Sequence, residues 1–289
     1  MTSYLPTRNY RCSGSSITKC SRNVRDIKIG DIVGEGGFGK VYKAEGYLNN
    51  KKIVFAIKII KDAVMEDYME EEIEFSYYMG EMGIGPHVYD AFFYTDDDEE
   101  TYTQVIFMEY MDTDCGHVLR DEKIDDNRKR NIVGQITTLV YKQIFETGLI
   151  CFDQKPNNFV YSFEDNVVKL IDFGAEFCST KPDIKKNREI YLSVIYTILL
   201  IQLFFLTSKL GVSKYVLGVF KENKYYPDGS DTQIKNIVHI LNSDQTLNLG
   251  FSGYVINKLN PTQYDFSKIK ELIYEMNKKL HKKKYLGLF

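Results

Sequence analysis

A run of glycines, Gly34-Glu35-Gly36-Gly37-Phe38-Gly39, lies between two stretches rich in β-branched and aromatic residues. Without Cβ atoms such a loop lets backbone N–H groups close over phosphate oxygens, where any side chain would hold the chain away. The continuation Lys40-Val41-Tyr42-Lys43-Ala44 reads as a strand. That argues against a dinucleotide-binding turn, which wants a helix directly after the loop and an acidic residue about 20 positions on. One strand later, Phe55-Ala56-Ile57-Lys58 sets a lysine inside an otherwise apolar run. An ammonium group is costly there unless it meets an anion. Glu70, Glu71, Glu72 and Glu74 follow on a segment of helical spacing and are the candidates to hold it. Downstream stand two denser polar groups, Asp153-Gln154-Lys155-Pro156-Asn157-Asn158 and Asp172-Phe173-Gly174. Either alone reads as a solvated turn; both together, behind a glycine loop and a buried lysine, point to a site.

On these residues the chain resembles the eukaryotic-type protein kinases, from about Ile27 to Phe205. The resemblance implies an α+β, bilobal fold, with a small antiparallel sheet lobe carrying one helix and a larger, mainly helical lobe, and ATP between them. Asp153, Lys155 and Asn158 reproduce the spacing of the family's catalytic loop. By that likeness Asp153 accepts the substrate hydroxyl proton, Lys155 offsets charge on the moving phosphoryl group, and Asn158 binds metal. Asp172 is then the main magnesium ligand, and manganese is an alternative ion. Lys58 takes the α- and β-phosphates of ATP, held by Glu72, which precedes apolar residues at one and three positions on as in the family's helix. The nucleotide is expected against Gly34, Glu35, Gly36, Gly37, Phe38, Gly39, Val41, Ala56 and Lys58, with Val160 beneath the base. Glu109 to Met111 supply the hinge backbone, and Met108 stands at the gatekeeper position.

The resemblance also has gaps. Cys151 and Phe152 replace the usual His-Arg before the catalytic aspartate, no Ala-Pro-Glu follows, and an apolar helix begins about fifteen residues after Gly174. A phosphate on the segment after Gly174 therefore lacks its usual arginine partner. The implied activity is transfer of the γ-phosphoryl group of ATP to serine or threonine of proteins, since Asp153-x-Lys155 resembles the serine/threonine type. A small-molecule kinase of the choline or aminoglycoside type, or a pseudokinase scaffold, is the alternative.

The elements that must position these residues follow from periodicity. Residues 1–24, rich in Ser, Thr, Arg and Cys without an apolar period, read as a flexible leader. Three strands are expected from Ile27 to Ile59, a helix between Asp62 and Met82 with Ile73, Phe75, Tyr78, Met79 and Met82 on one face, and strands at 88–95 and 101–110. This gives a sheet lobe at 25–111 and a helical lobe at 112–289. In the latter Ile132, Ile136, Leu139, Val140 and Ile144 mark a helix ending near Gly148. Short strands are expected at 159–161 and 167–171, and helices at about 189–207, 212–222, 231–242 and 265–283.

Composition excludes little more. Of 289 residues, 44% are hydrophobic and 27% charged, with 37 basic against 40 acidic side chains, the balance of a globular protein with no bias toward nucleic acid. The uncharged run Ile190–Ser208 is long enough to span a membrane, but its place inside the resemblance suits the central buried helix of the larger lobe. The five cysteines show no zinc spacing or disulfide framework, which fits a reducing, intracellular compartment. The acidic turn at 96–100 lacks calcium-loop spacing, and the lysines between 278 and 284 read as a solvated helix end. A soluble monomer acting on protein substrates is expected, cytoplasmic, or in a host cell if its AT-rich residue usage marks a virus or parasite.

Overall fold

The computed structural model describes residues 10–14, 16–36, 39–63, 66–95, 101–151, 156–174 and 178–179. The expected helices beyond 189, the run Ile190–Ser208, the acidic turn, the lysine-rich end, and Gly37, Phe38, Asp153 and Lys155 lie outside these residues. The chain divides into two compact units, and the first takes residues up to Asp112 with Ser162–Glu164 and Lys169–Ser179. Among the described residues the second takes Thr113–Tyr161 and Asp165–Val168.

The first unit is built on β1 (Val24–Gly36), β2 (Gly39–Leu48), β3 (Lys51–Ala63), β4 (Val88–Thr95) and β5 (Tyr102–Glu109), in the order β1-β2-β3-β5-β4. Every pairing is antiparallel. Two turns fix the register of the first three strands. Asn49 and Asn50, at φ 51° and 65°, make the two-residue primed turn that matches strand twist. Gly39, at φ 150°, closes the glycine hairpin, where a Cβ would stand 2.5 Å from the Ile59 carbonyl oxygen.

Alternation along the strands sorts the core onto two faces. Ala44, Phe55, Ile57, Ile59, Phe92, Val105 and Phe107 fill one, joined by Cys20 and Val24. Val88, Ala91, Phe93 and Ile106 fill the other, beneath helix α2 (Glu66–Glu81). The helix meets them with Met69, Ile73 and Tyr77, one stripe at four-residue spacing. Its expected face is thus partly turned: Ile73 and Met79 are buried, while Phe75, Tyr78 and Met82 are only half-buried. The helix starts later than expected because β3 runs on to Ala63.

Of the expected flexible leader, residues 1–9 and 15 lie outside the described residues, and residues 10–14 and 16–24 are ordered against the sheet. Tyr10 and Cys20 are buried, a short helix α1 (Ile17–Cys20) forms, and Cys12 N–H donates to Phe93 O at 2.8 Å while Phe93 N–H donates to Tyr10 O at 3.0 Å. The apolar surface that secures this segment is a few isolated side chains, so no period announced it. Cys12 and Cys20 are joined by a disulfide, which the reading of unpaired cysteines did not anticipate.

In the second unit β6 (Thr113–Asp114) leads into α3 (Cys115–Arg120) and then α4 (Asp126–Lys142). Asp114 caps α3 by accepting from His117 N–H, and Asp125 caps α4 by accepting from Asn127 and Arg128 N–H. Ile132, Val133, Ile136, Leu139 and Val140 are the buried stripe of α4. A π-helical turn, Gln143–Thr147, carries it to Gly148, whose φ of 69° ends it. Strand β7 (Ile150–Cys151) and a 3₁₀ turn (Pro156–Asn158) precede β8 (Phe159–Ser162), which pairs antiparallel with β6 through Thr113–Tyr161 and Asp114–Val160. Beyond Asn166, at φ 54°, the chain enters β9 (Val167–Leu170).

Candidate active site

Strand alternation fixes where the lysine points. Phe55, Ile57 and Ile59 face one core, so Lys58 shares the opposite face with Ala56 and lies under α2. In register, Lys58 stands between Val41 of β2 and Ile106 of β5, and Ala56 faces Met108. Glu72 reaches it from the helix, with Lys58 Nζ 2.6 Å from Glu72 Oε1 and the side chains only 15% and 10% exposed. Glu71 is exposed and Glu74 half-buried, so burial on the sheet side separates Glu72 from these neighbours.

A second carboxylate completes the cluster within the same unit: Lys58 Nζ is 3.2 Å from Asp172 Oδ1. Asp172 has φ 71°, a conformation that costs a side-chain-bearing residue about 1–3 kcal/mol and persists only where surroundings impose it. The surroundings are visible. Leu170 N–H donates to Ile84 O at 2.9 Å, and Lys169 Nζ donates to Gly83 O at 3.1 Å, tying these two residues, which belong to the first unit, to the loop that ends α2. Phe173 is buried, and a Cβ on Gly85 would come within 3.0 Å of its ring. Asp172 is thus fixed from both sides by contacts to one loop.

Burial pushes the Lys58 ammonium toward deprotonation, but the Glu72 and Asp172 carboxylates more than offset this and hold its pKa above the ordinary lysine value. One positive and two negative groups leave the cluster with an excess of negative charge. Hard carboxylate oxygen beside that excess suits a magnesium ion, so the residues present fit the metal.

Gln104, buried on β5, donates from Nε2 to Glu72 Oε2 at 3.4 Å and so engages the oxygen that Lys58 leaves free. Sequence reasoning missed it. A weak signal was there: Gln104 stands directly before the apolar run Val105-Ile106-Phe107, on the same strand face as Ile106, and a glutamine buried there must meet a polar partner.

The expected nucleotide residues fall on their elements as follows. Gly34, Glu35 and Gly36 end β1, with Gly36 opposite Gly39. Val41 is half-buried and Ala56 buried. Glu109 N–H donates to His87 O at 2.8 Å, and Glu109 Oε2 accepts from His87 N–H at 3.2 Å, which anchors the end of β5 where the hinge is expected to begin. Met111 is half-buried. In the second unit Asn158 is buried in the 3₁₀ turn, and Val160 is half-buried on β8. Its neighbour Asn157 donates from Nδ2 to Asp114 Oδ1 at 3.1 Å, so the cap of α3 also steadies the turn carrying Asn158.

A family model described as the protein kinase domain matches residues 27–194, more than half of the chain. Curated relatives agree. The chain is 27% identical over 151 residues to a cGMP-dependent protein kinase, isozyme 1, of Drosophila melanogaster, covering 52% of this chain and 19% of that protein. It is 26% identical over 197 residues to the serine/threonine-protein kinase greatwall of Danio rerio, covering 67% and 21%. It is 30% identical over 148 residues to the serine/threonine-protein kinase PLK2 of Mus musculus, covering 50% and 21%. The aligned part is about a fifth of the length of each of these relatives. With the buried Lys58–Glu72–Asp172 cluster in place, the chain belongs to the protein kinase domain family.

Proposed function

We propose that this chain is a serine/threonine-protein kinase that transfers the γ-phosphoryl group of ATP to hydroxyls of protein substrates. The observation that carries the reading is the buried lysine held by two carboxylates, Glu72 at 2.6 Å and Asp172 at 3.2 Å. Against a pseudokinase scaffold, the residues that the resemblance assigns to ATP, metal and proton, Lys58, Asp172, Asn158 and Asp153, are all present. The preference for serine and threonine rests on Asp153-x-Lys155 and on the names of the relatives.

In the reaction, Lys58 orients the α- and β-phosphates, and Glu72 keeps its ammonium from collapsing onto Asp172 alone. Asp172 in the first unit and Asn158 in the second are each a residue that the kinase resemblance assigns to magnesium, which when bound would neutralise charge on the phosphates. Asp153 takes the proton of the attacking hydroxyl as its oxygen bonds to the γ-phosphorus and the bond to the β-phosphate oxygen breaks. Lys155 offsets the charge on the group in flight. The small-molecule reading is favoured by one feature, the short stretch between Gly174 and the apolar run.

Incubation with radiolabelled ATP, magnesium and a protein mixture tests the proposal. Label is expected on phosphoserine and phosphothreonine, lost in Asp153→Asn with nucleotide affinity retained. Label confined to small molecules, or no transfer while ATP still binds, would establish one of the other two readings instead.

A further inference from the structure

We propose that Tyr10 is a positioning residue for phosphoryl transfer, clamping α2 so that Glu72 stays on Lys58; the kinetic part of this rests on the kinase reading above.

The helix that carries Glu72 is held to the sheet by the stripe Met69, Ile73 and Tyr77 over Val88, Ala91, Phe93 and Ile106. One member of that cluster belongs to neither helix nor sheet. Tyr10, 4% exposed, packs among these residues, and its ring stacks on Tyr77 with centroids 6.1 Å apart and planes 22° from parallel. Ile73, buried in the same cluster, directly follows Glu72. Tyr10 therefore closes the apolar seat of the helical turn that presents the carboxylate.

The segment bearing Tyr10 is fastened. It lies along β4, the edge strand of the sheet, with Phe93 N–H bonded to Tyr10 O and Cys12 N–H bonded to Phe93 O, so the edge is covered. The Cys12–Cys20 disulfide folds the chain back. The buried Asp90 then receives Ser21 Oγ, Arg22 N–H and Asn23 N–H at 3.0, 2.7 and 3.0 Å from Oδ2. Arg11 lies 5.9 Å from the Tyr102 ring, which meets Phe93 edge-on. A ring anchored in this way resists tilting of α2. A contact of 2.6 Å between Lys58 and Glu72 does not survive a shift of the helix by about 1 Å, beyond which charge-assisted geometry is lost.

The full chain carrying Tyr10→Ala should show a kcat lowered about tenfold, and Tyr10→Phe, which keeps the ring, should remain within about twofold of wild type. In a Glu72→Gln background Tyr10→Ala should change kcat by less than about twofold, because the route through Glu72 is already cut. An equal loss in both backgrounds, or a lowered melting temperature with kcat unchanged, would show that Tyr10 is only a structural side chain. Lys58 itself gives a readout independent of turnover. With limiting acetic anhydride and peptide mass mapping, Lys58 should acetylate several-fold faster in Tyr10→Ala than in wild type. If wild type transfers no phosphate but this difference appears, the kinase reading fails and the clamp stands; unchanged Lys58 reactivity overturns the clamp. Should Tyr10→Ala not fold, Tyr77→Leu removes the same stack from the helix side, and both readouts apply to it with the same outcomes.

Discussion

Three lysines on the same antiparallel sheet meet carboxylates at similar distances, and their surroundings divide them into two regions. At the rim, Lys40 lies 3.1 Å from Glu35 across the glycine hairpin with side chains 47% and 62% exposed, and Lys52 lies 2.7 Å from Glu45 at 60% and 48%. In the interior, Lys58 lies 2.6 Å from Glu72 at 15% and 10%. Distance alone would rank them as equals. Exposed pairs are screened by water and salt and lose side-chain freedom when they form, so their net worth is small. The interior pair has already lost its hydration, and either partner left alone is a buried uncompensated charge. The sheet thus uses one kind of contact for two purposes, and only the buried one can be poised for chemistry.

The largest effect should come from removing the interior cation. Lys58→Met leaves Glu72 and Asp172 facing one another without their shared partner, which for a broken buried pair costs about 3–5 kcal/mol. Urea unfolding is expected to show that loss, and titration with ATP and magnesium to show no saturable binding. A variant as stable as wild type would erase the distinction between rim and interior.

Glu72→Gln keeps shape and burial but removes the charge. Loss of a charge-assisted bond worth about 1.5–3 kcal/mol corresponds to a kcat roughly ten- to hundredfold lower, measured with saturating ATP. Stability should fall less than in Lys58→Met, because Gln104 can still meet the new amide.

Gly39→Ala probes the rim by shape instead of charge. At φ 150° and with a Cβ only 2.5 Å from Ile59 O, the alanine must strain the hairpin by about 1–3 kcal/mol. The measurement is the KM for ATP, expected to rise more than kcat falls.

The Lys58–Glu72 pairing was legible in the sequence and the segment bearing Tyr10 was not, for a physical reason. Lys58 interrupts a continuous apolar strand, and a lone cation there needs an anion; among four neighbouring glutamates the kinase resemblance singled out Glu72, which stands beside the buried Ile73. Such placements are legible because a motif of several residues supports each one. Tyr10 is held by a backbone hydrogen bond to Phe93, a second bond made by Cys12 to the same residue, and one stacked ring, and Asp90 by three donors from Ser21 to Asn23, contacts with no repeat to detect. The π-helical turn after α4 and the capping role of Asp114 were equally silent, since each depends on a single local geometry. Gln104 lies between these cases, visible as a polar residue at the head of an apolar run but without a partner that sequence could name.

The smallest effect should belong to Lys52→Ala. Lys52 and Glu45 are diagonal neighbours on β2 and β3, and their mutual hydrogen bond and attraction lower the carboxyl pKa and raise the ammonium pKa. The signs define a window. A depressed carboxyl contributes stability above its unfolded pKa, about 4.3, and loses it as pH falls through the folded value; a raised ammonium contributes below about 10.4 and loses it as pH rises through the folded value. Any contribution is therefore complete near pH 7, which is where to look for it. Both side chains are about half exposed or more, so water screens the pair before salt is added. Melting temperatures of wild type and Lys52→Ala at pH 7 should coincide in about 0.01 M salt, where the Debye length is about 30 Å, and again in about 1 M salt, where it is about 3 Å. A gap that opened only at low salt would mean that the rim pair carries real stability despite its exposure, and that burial is not what sets Lys58 apart.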